Sequence, residues 1–220
     1  QCMDQTSNHG FMCHKTLDRK SLQSVMDRLN KVSNKRFVLA SQSPRRQAMF
    51  DSLNLNHIIR PMDVDESFED SLKAEEIPLY LAKKKAEPQV SLLETNDILV
   101  TADTVVWING HVLNKPADLS EAKRMLSEIS NATHHVYTAV CLTTNEKQHL
   151  FYEGTEVHFH PLSEHEIDHY LSKYHPLDKA GAYGIQEFIG YIGIKKVVGD
   201  FYNVVGFPVQ RFWRELDHII

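Results

Sequence analysis

The chain has 220 residues, 42% of them hydrophobic and 24% charged, with 24 Lys and Arg against 29 Asp and Glu for a formal net charge of -5. That length predicts one domain or two small ones, and a single domain of this size buries roughly 70% of the surface its unfolded chain exposes. With 9 Gly and 8 Pro the composition is not collagen-like, coiled-coil or disordered. The acidic balance also disfavours a general DNA binder, whose phosphate-driven affinity wants basic residues.

Three cysteines, Cys2, Cys13 and Cys141, lack metal-ligand spacing, and a chain this long needs no disulfide framework. A reducing compartment, the cytoplasm, is therefore expected. No apolar run approaches the roughly 18 residues that cross a bilayer, and the N-terminus lacks the apolar core of a signal peptide. A soluble protein without a membrane partner is expected.

Residues 1 to 36 hold seven basic groups (Lys15, Arg19, Lys20, Arg28, Lys31, Lys35, Arg36) against three acidic ones (Asp4, Asp18, Asp27), a surplus of +4 that leaves -9 for the remainder. Leu22, Val25, Met26, Leu29 and Val32 recur at helical spacing, so this basic extension is expected to carry one amphipathic helix ahead of a domain over 37–220. Its three acidic residues argue against an organelle-targeting peptide.

From Phe37 strands alternate with helices, the pattern of an α/β sheet. RFVLAS (36–41) reads as a short buried strand, and SPRRQAMFDSLNL opens a helix with Pro44 in its first turn. AEEIPLYLAKKKAE (74–87) reads as a second helix with Leu79, Ala82 and Ala86 inward. DILVTADTVVWI (97–108) is a strand, and Asn109-Gly110 signals a hairpin turn that returns as HVLNKP. Asp118 and Glu121 give a capping-box-like start to ADLSEAKRMLSEIS, which ends near Asn131, a residue tolerant of the left-handed conformation. Strands are expected around 134–143 and 149–160, after which Ser163 and Glu166 cap EHEIDHYLSKY. IGIKKVVGDFYNVV reads as a last hairpin turning on Gly199-Asp200, and Pro208 opens a terminal helix PVQRFWREL. The sum is one mixed α/β body.

Ser43-Pro44-Arg45-Arg46 lies where a strand ends and a helix begins. Free backbone N–H groups, the positive helix end and two forked guanidiniums suit an anion there, although an Arg on a solvated face is the plainer reading of the motif alone. Asp103 closes the apolar run ILVTA, where a carboxylate is costly unless it binds a metal, meets a cation or activates water. Accepting backbone hydrogen bonds at a strand end is its simpler role. With the turn at 109 and 110, Ile108 faces His111 and Thr104 faces Lys115, their Cβ atoms about 4.5 to 5.5 Å apart. A regular strand points Asp103 to the other face, so joint use of Asp103 and Lys115 requires the strand to bend or end.

Lys83, Lys84 and Lys85 form a run that solvates a helix face by default, but Lys85 lies three after Ala82 and can border the inward side. Glu66 follows Asp65 in an acidic loop, and its oxygen ligands suit Mg²⁺ or Mn²⁺. Asp178-Lys179 precedes AGAYGIQ, whose Gly181 and Gly184 permit close backbone approach. The 13 histidines include His165 with His169 and His158 with His160, yet no HExxH, CxxC or third ligand accompanies them, so no zinc site is expected. Cys141 falls in a core strand and no GxSxG elbow exists, so no nucleophile stands out.

Taken in order, LASQSPRR (39–46), YLAKKKA (80–86), TADTVV (101–106), NKPADLSEAKRML (114–126), HHVYTAV (134–140), DKAGAYGIQ (178–186) and GDFYNVVGFP (199–208) resemble the Maf family, once named for septum formation and understood as nucleoside triphosphate pyrophosphatases. The resemblance covers nearly everything after residue 36. It implies an elongated mixed sheet with flanking helices and two lobes around a central cleft, a Maf/Ham1-type fold shared with inosine triphosphatases. It also implies hydrolysis of a nucleoside triphosphate to the monophosphate and pyrophosphate with a divalent cation, Mg²⁺ or Mn²⁺. In those terms Asp103 is the general base and a metal ligand with Glu66. Lys115 joins Asp103 in catalysis, and Ser41, Arg45, Arg46, Lys85, Thr104 and Gln186 bind substrate. Phosphoryl chemistry is mostly positioning and charge stabilisation, which such a set supplies.

One branch of the family prefers dTTP and UTP, another 7-methylguanosine triphosphate. The second carries a Trp after the Ser-Pro, SDQ for ADT and AGSFKSEG for AGAYGIQ. Arg45, Ala102-Asp103-Thr104 and Gln186 therefore resemble the pyrimidine branch. The Gln186 amide, donor and acceptor together, can match the O4 and N3–H edge of uracil or thymine, and cytosine if flipped. Three positions depart from the family: Glu187 for Gly, which adds charge near the proposed base edge, Asn131 for a helix-ending Gly, and Phe207 for Leu. The expected partner is the nucleotide, with a homodimer as the quaternary state to be tested. The alternative reading is a non-catalytic nucleotide-binding regulator of cell division, which would have no need of the Asp103 base. A single-stranded nucleic-acid binder would need aromatics interleaved along a basic groove.

Overall fold

Twelve consecutive residues, Asp97–Ile108, form the strand β3 around which the computed structural model is arranged; the structure describes residues 19–220, leaving Cys2, Cys13 and the first part of the basic extension outside it. The preceding elements are α1 (Arg19–Ser33), β1 (Arg36–Leu39), α2 (Pro44–Ser52), β2 (His57–Ile59) and α3 (Glu76–Ala86). After β3 come β4 (His111–Leu113), α4 (Leu119–Ile129), β5 (Thr133–Thr143), β6 (Gln148–Phe159), α5 (Glu164–Tyr174), α6 (Phe188–Gly193), β7 (Ile194–Val198), α7 (Phe201–Val205) and α8 (Val209–Glu215). The sheet is mixed, in the order β2-β1-β3-β5-β6-β7, with β4 also on β3. β1 is parallel to both β2 and β3, and all other pairs are antiparallel. Helices flank both faces, so the α/β pattern read from the sequence holds.

The register of β3 fixes the site. On one edge it pairs with β5 from Leu99 to Trp107. On the other, β1 pairs only as far as Leu39 opposite Val100, and β4 begins at Leu113 opposite Val106. Residues 101–105 thus have no strand beside them on that edge. Alternation along β3 sends Ile98, Val100, Ala102 and Val106 to one face and Leu99 and Val105 to the other, where Leu81, Ala82 and Ala86 of α3 pack.

Two apolar clusters share the face opposite α3. One gathers Phe37, Phe50, Phe207 and Phe212 from β1, α2 and the C-terminal segment. The other gathers Met125, Leu126, Tyr170 and Ile189 from α4, α5 and α6. The long strands run through both, giving two lobes on one sheet with a cleft between them.

Local signals account for most element ends. Ser163 and Glu166 form a full capping box on α5, and Asp118 accepts from the Glu121 N–H at the start of α4. Asn131 leaves α4 in the left-handed region at φ 55°. In α1, Val32 is buried while Met26 and Leu29 are exposed, and Arg28 sits 5.1 Å from the Trp213 ring centre and 3.3 Å from Asp217. No described helix is long and apolar enough to cross a membrane.

Two expectations fail. The chain does not form a hairpin at Gly199-Asp200: β7 pairs back onto β6, with Val197 opposite Val157, and the chain turns into α7. Asp200 caps that helix by accepting from the Tyr202 N–H at 2.8 Å, and Gly199 has φ 130°. Buried Asn203 then anchors α7 to the sheet, donating to the Val136 carbonyl and to Thr155 Oγ1, both at 2.9 Å. Nor does Thr104 face Lys115. The Asn114 carbonyl accepts from the Gly181 N–H at 3.3 Å instead of continuing the β3 ladder, Pro116 follows, and Thr104 is registered with Thr138 of β5.

Asn203→Ala removes the side-chain donor to the buried Val136 carbonyl and leaves Thr155 Oγ1 with the Asp200 N–H alone, so urea unfolding should show a loss of about 2 kcal/mol. His134 of β5 is buried against Phe159 and Tyr183, and burial pushes its pKa down to about 3 from the ordinary 6.5. The unfolded chain takes up that proton near pH 6.5 while the folded chain resists it. Stability is therefore fully present above pH 6.5 and falls by about 1.4 kcal/mol per pH interval towards pH 3 on this account. Urea midpoints between pH 7 and pH 4 should fall less steeply in His134→Phe than in the wild type.

Candidate active site

The open stretch of β3 forms the floor of a cleft of about 690 Å³, a nucleotide-sized volume. All nine residues singled out from the sequence line it: Ser41, Arg45, Arg46, Glu66, Lys85, Asp103, Thr104, Lys115 and Gln186. Because no strand covers this edge, side chains from both faces of β3 reach the same space. Asp103 points towards α3 and Thr104 towards α2, as strand alternation requires, and the cleft receives both.

On the α3 side, Lys85 Nζ stands 2.6 Å from Asp103 Oδ1 and 2.8 Å from Glu66 Oε1. One ammonium thus bridges a buried strand carboxylate and a loop carboxylate. Lys85 borders the inward face of α3, as the spacing from Ala82 predicts. Burial would raise the Glu66 pKa, but the Lys85 hydrogen bond and the charges of Lys85, Lys115 and Arg46 hold it below the ordinary range. Both carboxylates line the cleft and offer oxygen alone, a donor set that would fit a hard divalent cation such as Mg²⁺ or Mn²⁺.

On the other side, Arg46 is a pin. Its Nε donates to the Gly206 carbonyl at 2.9 Å, one terminal nitrogen to the Ala102 carbonyl at 2.9 Å and Ser41 Oγ at 3.4 Å, and the other to Thr104 Oγ1 at 3.1 Å. Four of the five guanidinium N–H groups are engaged, leaving one for a ligand. Burial lowers the Arg46 pKa, opposed by Asp103, and an arginine stays charged throughout the working range. The Thr104 hydroxyl is held in turn by Thr138 Oγ1 at 2.9 Å.

Arg45, adjacent in sequence, leads a different network. It pairs with Asp178 at 3.1 Å, Asp178 with Lys179 at 2.7 Å, and Lys179 with Glu187 at 3.1 Å. Tyr170 donates to the other Glu187 oxygen and accepts from the Gly184 N–H at 3.1 Å. Burial, then Glu187, raises the Tyr170 pKa; Asp178 is held low by Lys179 and Arg45 against its own burial. This chain of contacts spans the cleft from one lobe to the other. Glu187 therefore does not sit free at a base edge: its carboxylate is drawn to Tyr170 and Lys179, over Gly184, where a Cβ would come within 2.6 Å of it. Lys115 and Gln186 are exposed, and Lys115 makes no ion pair among the described residues. The Tyr170 role had no sequence signal beyond its inward position on α5.

The lining cations Arg45, Arg46, Lys85, Lys115 and Lys179 are matched by Asp63, Glu66, Asp103, Asp178 and Glu187. A polyphosphate entering this balanced cleft must displace internal ion pairs or bring positive charge with it. Among the described residues, His158 pairs with Glu156 and Thr133, and neither it nor the His165 and His169 pair belongs to a possible metal cluster. Cys141 is buried in β5, and burial pushes its thiol pKa up, away from the thiolate that a nucleophile needs.

Arg46→Ala strands the Ala102 and Gly206 carbonyls and should cost on the order of 3 kcal/mol in urea unfolding. Arg45→Ala removes a half-exposed ion pair and should stay within about 0.5 kcal/mol of the wild type.

A family profile described as Maf-like protein matches residues 36–219. The dTTP/UTP pyrophosphatase of Bacteroides thetaiotaomicron is 45% identical over 189 residues, 86% of this chain and 98% of that protein. The protein of the same description from Parabacteroides distasonis is 45% identical over 191 residues, 86% and 99% of the two chains. Among solved structures, the Ham1 protein of Staphylococcus aureus is similar over 57% of this chain and 72% of its own, at 15% identity and a TM-score of 0.43. The profile runs from β1 to the last turn and the relatives match along nearly their whole length, so this chain belongs to the Maf family.

Proposed function

We propose that this chain is a nucleoside triphosphate pyrophosphatase that hydrolyses dTTP and UTP to the monophosphate and pyrophosphate, clearing unwanted nucleotides from a cytoplasmic pool. The observation that carries the reading is the Lys85 bridge between Asp103 and Glu66 on the floor of a nucleotide-sized cleft. Its support from outside is the shared description of relatives at 43 to 45% identity.

In this reading Asp103 takes a proton from the attacking water as the water oxygen bonds to the α-phosphorus; the bond to the α,β-bridging oxygen breaks and that oxygen leaves on pyrophosphate. Asp103 and Glu66 would hold Mg²⁺ or Mn²⁺, which would supply positive charge to offset that of the phosphates. Lys115, which makes no ion pair among the described residues, is placed to meet developing charge, and Arg45 trades Asp178 for phosphate. Lys85 holds Asp103 in place and joins the phosphate shell. Arg46, with one N–H to spare, orders the Ser41 turn and touches phosphate through that donor. Thr104 acts chiefly through Arg46. Gln186, exposed in the cleft and without a side-chain hydrogen bond among the described residues, reads the pyrimidine edge.

Asp103→Asn keeps shape and hydrogen-bonding capacity but cannot take the proton, so pyrophosphate release should fall by about 10²- to 10⁴-fold while a non-hydrolysable triphosphate still binds in a calorimeter. Wild-type turnover by that variant contradicts the assigned role. Binding without turnover in the wild type would favour a nucleotide-sensing regulator. Across dTTP, UTP, CTP and 7-methylguanosine triphosphate, dTTP and UTP should give the highest kcat/KM; best turnover of the methylated purine overturns the pyrimidine reading.

A further inference from the structure

Away from the cleft, the start of β6 and the end of the chain bring two imidazoles and a carboxylate together. His149 is the second residue of β6, Glu215 the last of α8, and His218 lies in the 3₁₀ turn that follows. His149 Nε2 is 2.6 Å from Glu215 Oε2, and His218 Nε2 is 3.5 Å from the same oxygen. The ring centres are 4.6 Å apart and inclined by 32°. One ligand atom from each residue lies within 4.8 Å of the other two, the only such group of three among the described residues. None of the three lines the cleft.

We propose that His149, Glu215 and His218 form a binding site for a divalent cation of the zinc type, separate from the Mg²⁺ or Mn²⁺ position on Asp103 and Glu66. Two imidazole nitrogens and one carboxylate oxygen suit Zn²⁺, Co²⁺ or Ni²⁺ and not Mg²⁺, which prefers oxygen alone. Three protein ligands with water in a fourth position make a four-coordinate zinc centre, with metal–ligand distances of about 2.0 to 2.2 Å.

Two features distinguish the group from a surface ion pair. Arg211 donates from Nε to Glu215 Oε1 at 3.2 Å and is itself paired with Glu153 at 3.5 Å. It occupies one carboxylate oxygen and turns the other towards both imidazoles, as residues behind metal ligands do. His218, in contrast, converges on that oxygen without completing a hydrogen bond to it. A cation between the three atoms gives the His218 lone pair a partner and relieves the demand of two imidazoles on one oxygen. The site would fasten the turn after α8 to β6 beside the cluster of Phe37, Phe50, Phe151 and Phe212, so occupancy stabilises that lobe by mass action.

The test uses the full chain stripped with a chelator and titrated with Co²⁺, then Zn²⁺. The wild type should develop the visible absorption of four-coordinate Co²⁺, lose it on adding about one equivalent of Zn²⁺, and gain in Tm with Zn²⁺ but not Mg²⁺. His218→Ala, at a mostly exposed position, should fold and turn over nucleotide as the wild type does while losing at least about tenfold in Zn²⁺ affinity. His149→Ala/His218→Ala should abolish the Co²⁺ band; if the double variant does not fold, His218→Ala alone decides. Equal Zn²⁺ affinity in the wild type and His218→Ala, or no Co²⁺ band in the wild type, overturns the proposal. Neither result bears on pyrophosphate release, so the site and the proposed activity fail independently.

Discussion

A strand flanked on part of one edge by nothing has backbone and side chains there that something else must satisfy. In β3 that part is residues 101–105, left open because β1 stops at Leu39 and β4 starts pairing only at Val106. The opening lets two faces of one strand serve one cleft, which a continuous sheet forbids. Asp103 meets Lys85 from α3 on one face, and Thr104 and the Ala102 carbonyl meet Arg46 from α2 on the other. The helices that close the two faces therefore also deliver the charges, and the Ser41–Ser43 turn at the carboxyl end of β1 sits where ligands commonly bind in open α/β sheets.

Charge in the cleft is arranged more than accumulated. Each buried or half-buried cation has an acidic partner or a set of carbonyls, since a lone buried charge would cost several kcal/mol. Lys85 shares two carboxylates, Arg46 is satisfied by backbone and hydroxyl oxygen, and Arg45 and Lys179 alternate with Asp178 and Glu187. The net charge of -5 that disfavours long polyanions is compatible with the single triphosphate proposed as substrate, because local placement of charge decides the field in a cleft.

The legible parts of the fold were those governed by local chemistry. Alternating apolar runs located the long strands, the Asn109-Gly110 turn set the β3–β4 register at Ile108 and His111, and the Ser163 and Asp118 caps marked two helix starts. Asp103 could be singled out because a carboxylate ending an apolar run is costly, and Lys85 because helical spacing carries it inward. What escaped depended on contacts distant in sequence. Asn203 reaching Val136 and Thr155 converts an expected hairpin into α7, and the Gly181 N–H taking the Asn114 carbonyl ends β4 before Lys115 can face Thr104. The engaged donors of Arg46 and the tying of Glu187 to Tyr170 were hidden for the same reason: a side chain's partner, unlike its periodicity, is not written beside it.

In the proposed reaction the open edge of β3 holds the phosphates and the cation together at Asp103. A crystal structure with Mn²⁺ and an α,β-imido analogue of dUTP tests it most directly. An anomalous Mn²⁺ peak is expected on Asp103 and Glu66, with the α-phosphate facing Asp103 and the triphosphate crossing towards Arg45 and Lys115. A nucleotide bound outside this cleft, or a metal peak that leaves both carboxylates uncoordinated, would contradict it.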